Sequence, residues 1–197
     1  MKTLLYSIML IAGIGTAQAQ EFNKQLSAAR TAYSAKKLEE SRFAMQQMMQ
    51  ELNIIAGKEV LKLLPAKLEA LNSNPANDNV SGASGFAGVV IHRDYGTGAK
   101  TAVVDIIGNS PLMASINAIL SLPFVASAGG NQKVIKLEGY KALLQKNTDT
   151  ETNKISYEIQ LPLNSSLLTL KAENSTEDEI KKFAASIPVS QLAKTLQ

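Results

Sequence analysis

The sequence changes character at Pro65, and this change restricts the fold more than any other feature. Before it, residues 22–64 contain no proline and a single glycine, Gly57, and are rich in Ala, Leu, Gln, Glu, Lys and Met, most of which favour helix. After it, short runs rich in Val, Ile, Leu and Tyr alternate with Gly, Asn and Pro, which is typical of strands and turns. The chain is therefore predicted to be an α+β protein.

Two helices are predicted in the first half, a short one over 22–34 and a long one over 38–64, which together form an antiparallel helical hairpin. Apolar side chains recur along the long helix at the spacing of one helix face. They are Leu38, Met45, Met48, Leu52, Ile55, Val60 and Leu64. Met45, Met48 and Met49 have two interpretations, an adaptable binding surface or core packing between hairpin and sheet. We expect core packing.

The second half has the pattern of strands joined by turns, with helices among them. The predicted strands are 87–95, 101–107, 133–138, 141–146, 155–161 and 167–172. A buried helix is predicted over 112–122, after the start signal Ser110-Pro111. A final helix is predicted from Ser175, where acidic residues fill the first turn. We expect an antiparallel sheet of about six strands packed with helices.

The predicted organisation has four parts. They are a signal peptide over 1–19, a helical hairpin over 20–71, a linker over 72–85 and an α+β sheet domain over 86–197. The linker is assigned because this stretch is rich in Asn, Ser, Gly and Pro. We expect the hairpin and the sheet domain to form one compact unit.

The N-terminus has the three parts of a cleavable secretory signal peptide. Lys2 supplies the positive charge, residues 4–14 form the apolar segment, and Ala17 and Ala19 give the small-x-small pattern before the cut. An apolar segment of about eleven residues is shorter than the roughly twenty that span a bilayer. We therefore expect cleavage between Ala19 and Gln20 and a periplasmic or secreted product without a membrane span.

Composition excludes several classes of protein. The chain contains no cysteine, so it has neither a disulfide nor a cysteine-linked lipid anchor, and its stability must come from a buried core. The formal net charge is only +3, and the lysines are interleaved with acidic residues, which argues against nucleic-acid binding. No cofactor-binding motif is present, so we expect no cofactor.

His92 is the only histidine, and with Asp94 and Asp105 it forms the one candidate site for chemistry. A four-residue turn at 96–99 places His92 opposite Val103. Strand alternation then puts the three side chains on the face away from the core, where one imidazole and two carboxylates could bind a metal. Their spacing matches no metal-binding signature, so we interpret them first as a polar sheet face. We assign no catalytic, cofactor-binding or metal-binding residue.

Five short blocks carry a resemblance to known proteins. They are Leu63-Leu64-Pro65, the strand ending in Tyr95, Ser110-Pro111-Leu112, Gly139-Tyr140 and Ser165-Ser166-Leu167. Across residues 50–197 the chain resembles a group of uncharacterised bacterial secreted proteins, whose layout is similar to the PsbP/Mog1-like α/β/α sandwich. The resemblance implies a fold, and it implies no activity or site residue. Through Ala28-Ala29-Arg30-Thr31-Ala32-Tyr33, a short lysine-bearing turn and the stretch Leu38 to Met48, the helical hairpin resembles a single tetratricopeptide-type unit over about forty residues.

These features predict an exported, non-enzymatic binding or accessory domain that contacts a protein or a small ligand. The contact surface would be the helical hairpin or one face of the sheet. Two alternatives remain. One is a metal-dependent hydrolase that uses His92, Asp94 and Asp105, and the other is a structural factor of the cell envelope.

We expect the mature protein to begin at Gln20. Replacing Ala19 with Tyr removes the small residue that signal peptidase requires, so the precursor should accumulate uncleaved. Gln18→Tyr changes the unrestricted middle position and is the matched control, for which processing should continue. Intact-mass measurement on cell fractions reads out both variants, and a wild-type protein that keeps its first residues would contradict the prediction.

Overall fold

The structure, a computed structural model, describes residues 13–82, 88–122 and 130–196, with side chains from residue 20 onward. Residues 1–12 of the predicted signal peptide lie outside this range, and residues 13–19 are the start of the first helix. The described ranges contain five α-helices. They are α1 (Gly13–Ser34), α2 (Leu38–Leu63), α3 (Met113–Ser121), α4 (Glu177–Ala185) and α5 (Val189–Thr195).

The strands of the described ranges form two antiparallel sheets. They are β1 (Lys67–Leu68), β2 (Leu71–Asn72), β3 (Asn79–Gly82), β4 (Val89–Thr97), β5 (Lys100–Gly108), β6 (Gln132–Leu137), β7 (Tyr140–Thr148), β8 (Ile155–Leu163) and β9 (Ser166–Glu173). β1 and β2 pair with each other, and the other seven form one sheet in the order β3-β4-β5-β9-β8-β7-β6. The predicted fold class, an α+β protein with an N-terminal helical pair and an antiparallel sheet packed with helices, is confirmed.

The described residues separate into two compact units, one ending at Ile55 and the other beginning at Ala56. The first contains α1 and the part of α2 up to Ile55, and the second contains the end of α2, both sheets and the remaining helices. None of the helices in the described ranges combines the length and the apolar character that crossing a membrane requires.

The sheet contains a strand that the sequence pattern did not predict. All six predicted strands are present as β4 to β9. The segment 72–85, predicted as a linker, also contains a 3₁₀ turn (Pro75–Asn77) and the edge strand β3, which pairs with β4. Within β3 only Val80 is a large apolar residue, so its own sequence gives no strand pattern. The free edge of β4 supplies its pairing.

The predicted register of the first hairpin is wrong by two residues. Thr97 pairs with Lys100, and the turn consists of Gly98 and Ala99 alone. Gly98 has φ +72, which a primed two-residue hairpin turn requires at its first central position, so the ladder continues further than expected. His92 therefore lies opposite Asp105 instead of Val103.

Helices pack on both faces of the seven-stranded sheet. Leu143 and Leu144 are neighbours on β7 and point to opposite faces, as do Leu167 and Leu168 on β9. Leu144 and Leu168 belong to the larger core, which includes apolar residues of α4 and α5. Leu143 and Leu167 belong to a smaller core beneath α3. Each side of the sheet thus carries at least one helix.

Residues 112–122 were expected to form a helix that is buried on all sides, and this is wrong, because part of the helix surface is exposed. Ile116 and Leu120 of α3 are buried, but Leu112 and Leu122 beside the helix are 50% and 55% exposed. A single helix lying on a sheet buries one stripe of side chains and leaves its outer side to solvent.

The start of α4 is held by a capping box. Thr176 Oγ accepts a hydrogen bond from the Glu179 backbone N–H, and the Glu179 carboxylate accepts one from the Thr176 N–H. Glu179 also forms an ion pair with Lys100, next to the turn of the first hairpin. The Lys100 ammonium and the Thr176 N–H lower the pKa of Glu179 to about 2. These contacts connect α4 to the end of the first hairpin.

Arg93 places a charge on the core-facing side of β4, between Ile91 and Tyr95, which are fully buried. Its guanidinium donates to both oxygens of Asp78, from Nε at 2.9 Å and from Nη2 at 2.6 Å. Its Nη1 donates to the carbonyl of Leu64, just after α2, at 2.8 Å. A bidentate pair of this kind satisfies a buried charge in a way that a single contact does not. Arg93 thereby connects β4, the approach to β3 and the end of α2.

The end of α2 lies very close to the sheet at Gly57. A Cβ at this position would come within 2.6 Å of a Val89 methyl and 2.7 Å of a Val80 methyl. Only glycine allows the helix backbone this approach without moving the two valines. Val60 and Leu64, further along the helix, then enter the larger core.

We expect Asp78→Leu to destabilise the protein by about 3 kcal/mol, because Arg93 is left charged and unpaired with its side chain only 12% exposed. The double variant Arg93→Met/Asp78→Leu should lose less than the two single variants together, since the uncompensated charge is removed. Urea denaturation measures both. Arg42→Ala is the control, because the Arg42 side chain is 69% exposed and its ion pair with Glu39 should contribute little. Equal effects of Asp78→Leu and Arg42→Ala would contradict this role.

Candidate functional site

The structure brings His92, Asp94 and Asp105 together on the sheet face that carries α3. His92 and Asp105 are direct cross-strand partners on β4 and β5, and Asp94 follows His92 by two residues on the same face. The prediction that the three side chains share one face of the sheet is therefore confirmed, and His92 contacts both carboxylates. The two-residue change of register leaves their face unchanged because side chains alternate with period two.

Each nitrogen of the His92 ring contacts a different carboxylate. Nδ1 donates a hydrogen bond to Asp105 Oδ1 at 2.7 Å, and Nε2 lies 3.0 Å from Asp94 Oδ1. The other oxygen of Asp94 accepts a hydrogen bond from Asn77 Nδ2 at 2.9 Å. Asn77 ends the 3₁₀ turn that precedes β3, so the segment predicted as a linker contributes directly to this cluster.

The two carboxylates favour the charged form of His92. Partial burial of the ring opposes protonation, but the hydrogen bond to Asp105 and the negative charges of Asp105 and Asp94 outweigh it, so the pKa of His92 lies above its ordinary value of 6.5. The His92 side chain is 32% exposed, so solvent still reaches it. The cluster is an imidazolium between two acids, with one negative charge in excess when His92 is protonated.

This geometry does not resemble a hydrolytic site. A general base needs a ring nitrogen free to accept a proton from a nucleophile, and both nitrogens of His92 face carboxylates. The two nitrogens point in divergent directions, so a metal bound at one of them could share only one of the two aspartates. Over the ranges that the structure covers, no group of three or more His, Cys, Asp or Glu residues has a metal-binding arrangement.

The helical pair of the first unit has a seam of small residues. Ala29 and Ala32 of α1 and Ala44 of α2 are buried, and buried Ser41 donates a hydrogen bond to the Ala29 carbonyl at 3.1 Å. Small side chains allow two helices to approach closely, but they bury little apolar area. The larger apolar side chains of this unit therefore do not lie in the seam between its two helices.

Four large apolar side chains of α2 form an exposed row along the helix, which we call the apolar row. They are Leu38 (59% exposed), Met45 (46%), Met49 (51%) and Leu52 (45%). Tyr33, at the end of α1, is 66% exposed as well. The expectation that Met45 and Met49 pack in a core is therefore wrong, while Met48 is half-buried. Their helical spacing identifies a face and does not determine what covers it.

The residues that support the cluster were missed by the sequence analysis. Asn77 and Asp78 lie in a polar stretch with the composition of an ordinary linker. Arg93 lies between His92 and Asp94 and looks like one more solvent-facing charge. A strict alternation pattern could have placed Arg93 on the core face with Ile91, which would have predicted a buried acidic partner.

No protein-family model matches the chain, and no curated protein matches it significantly. The resemblance to uncharacterised bacterial secreted proteins remains a prediction.

We expect the pKa of His92 to be measurably above 6.5, because both carboxylates stabilise the imidazolium. The folded-state pKa exceeds the unfolded one, so this contribution to stability is present below about pH 6.5 and is lost as the pH rises through the folded-state value. NMR titration is direct, since His92 is the only histidine. Asp105→Asn should lower the pKa of His92. Asn147→Asp is the control and should change this pKa little, because Asn147 lies on the same face of the sheet but on the distant strand β7. A wild-type value at or below 6.5 would contradict the geometry.

Proposed function

We propose that this chain is an exported, non-enzymatic binding protein whose helical pair binds an amphipathic helix of a partner protein. The apolar row is the observation that carries the proposal. Four large apolar side chains at about half exposure on one helix form a surface that a free monomer has no reason to expose.

The dimensions of the apolar row suit a single helix. Leu38, Met45 and Leu52 are spaced by seven residues, which is the repeat at which two helices stay in contact along their length. The row extends over fifteen residues, so its two ends lie about 21 Å apart at a rise of 1.5 Å per residue. Methionines at its centre adapt to partners of different shape. One amphipathic partner helix of about four turns would cover the row.

The rim of the row indicates the charge of the partner. Arg42 lies one turn from Leu38, and its side chain is 69% exposed with only a 3.5 Å contact to Glu39. Gln46 and Asn53 continue this side of the helix without charge. A partner helix with an acidic residue beside its apolar face would complement Arg42.

Two predictions from the sequence enter this proposal. Export rests on the signal-peptide pattern of residues 1–19, and the resemblance to bacterial secreted proteins agrees with that address. The metal-dependent hydrolase receives less support, because the ring nitrogens of His92 contact separate carboxylates. A structural role in the envelope would involve the same exposed helix surface.

A photoreactive amino acid at Met49 should crosslink to one discrete partner protein in cells, and the crosslink should be lost with Met45→Glu, because a charge cannot enter the apolar contact. The same label at Phe43 is the matched control. Phe43 is 63% exposed but lies on roughly the opposite side of α2, given 3.6 residues per turn. Mass spectrometry identifies the crosslinked peptide.

The proposal requires that the captured peptide be an amphipathic helix with an acidic residue beside its apolar face. A crosslink to a second copy of this chain would indicate self-association and contradict it. So would equal crosslinking from positions 43 and 49, or the absence of any crosslinked species from position 49.

A further inference from the structure

The sheet unit contains a cavity that none of the features above uses. Its volume is about 320 Å³, at the lower end of the range for small-molecule sites. It lies where β6, β7 and β8 meet the start of α4. The residues that line it are Gly130, Asn131, Lys133, Leu144, Lys146, Tyr157 and Glu177.

The floor of the cavity is apolar and its walls are polar. Leu144 is 2% exposed and belongs to the larger core. Lys133 lies opposite Leu144 on β6, and Tyr157 lies opposite Lys146 on β8, so these side chains share one face of the sheet. A ligand entering here would meet an aliphatic floor, a tyrosine ring and two ammonium groups.

The charges in the cavity do not balance. Glu177 uses one carboxylate oxygen to bind Lys133 at 2.7 Å and the other to bind Lys181 at 2.6 Å. Lys146 forms no ion pair within the ranges that the structure describes. The residues that line the cavity therefore include two ammonium groups and one carboxylate, and Lys146 is the cation that a ligand can neutralise.

Hydrogen-bonding groups surround this cation. Among the described residues, neither the Asn131 amide nor the Tyr157 hydroxyl has a side-chain hydrogen-bond partner. An amide N–H, a phenol O–H and an ammonium group are donors that suit an anionic oxygen. Leu144 and the ring of Tyr157 favour an apolar body on the same ligand.

From this arrangement we propose that the cavity binds a small organic monoanion, a carboxylate with a compact apolar body. The carboxylate accepts from Lys146 and from the Tyr157 hydroxyl, and the apolar body lies on Leu144. The proposal is independent of the helical pair, because every group in it belongs to the unit that begins at Ala56.

Benzoate is the probe, and its binding to the full mature protein is followed by ¹H–¹⁵N NMR shifts. We expect saturable binding, with the largest shifts in β6, β7 and β8. Benzamide has the same shape without the charge and should bind at least tenfold more weakly. Binding should weaken further as salt is added, because the attraction to Lys146 is partly screened.

Variants assign the binding to this cavity. Lys146→Gln should weaken benzoate binding about tenfold or more, with folding checked by circular dichroism. Lys141→Gln is the matched control, since Lys141 is exposed on the opposite face of the same strand and should not affect binding. Glu177→Gln should strengthen binding, because it releases Lys133 from a competing carboxylate.

Four outcomes would overturn the proposal. They are equal binding of benzoate and benzamide, unchanged binding in Lys146→Gln, shifts that do not saturate below about 20 mM, and binding of inorganic phosphate but not of benzoate. The last result would show that the cavity binds anions but does not bind the apolar body of the ligand.

Discussion

The ion pair between Arg93 and Asp78 is the interaction on which the arrangement of the sheet unit depends. A guanidinium on the core side of a strand is costly unless its donors are satisfied. Here the partners are a carboxylate from the segment before β3 and the carbonyl of Leu64. Tyr95, two residues further, donates to the carbonyl of Pro65 at 3.0 Å, and burial raises its pKa to about 12. Together they order the chain between α2 and β4 and so place Asn77 beside Asp94.

Local sequence patterns were sufficient to predict most of the helices and strands, but they did not predict how the strands pair. The strands β4 to β9 have β-branched or alternating sequences of their own, and α2 begins and ends within one residue of the prediction. β3 was missed because its strand character comes from β4, a partner distant in the sequence. The hairpin register was wrong because Gly98 allows a two-residue turn, a choice that side-chain alternation cannot distinguish from a four-residue turn.

The sequence was enough to predict that the three site residues share one face of the sheet. It was not enough to predict which of their groups contact each other. Because side chains alternate between the two faces of a strand, His92, Asp94 and Asp105 share a face in the predicted register and in the observed one, which differ by two residues. Whether they converge on one point or on two depends on which carboxylate meets which ring nitrogen, and that follows from the true register and from Asn77. The same limit applies to Met45 and Met49, because a helical stripe has one pattern whether it is packed or exposed.

The close approach at Gly57 also limits how this sequence can change over time. A hydrogen atom is the whole side chain there, and the two valine methyl groups occupy the space that any other residue would need. A substitution at 57 becomes acceptable only after both Val80 and Val89 have moved or become smaller, and a smaller residue at either position leaves a void until 57 changes. The three positions should therefore vary as a set, so that a smaller residue at 80 or 89 in a related sequence would be accompanied by a residue larger than glycine at 57.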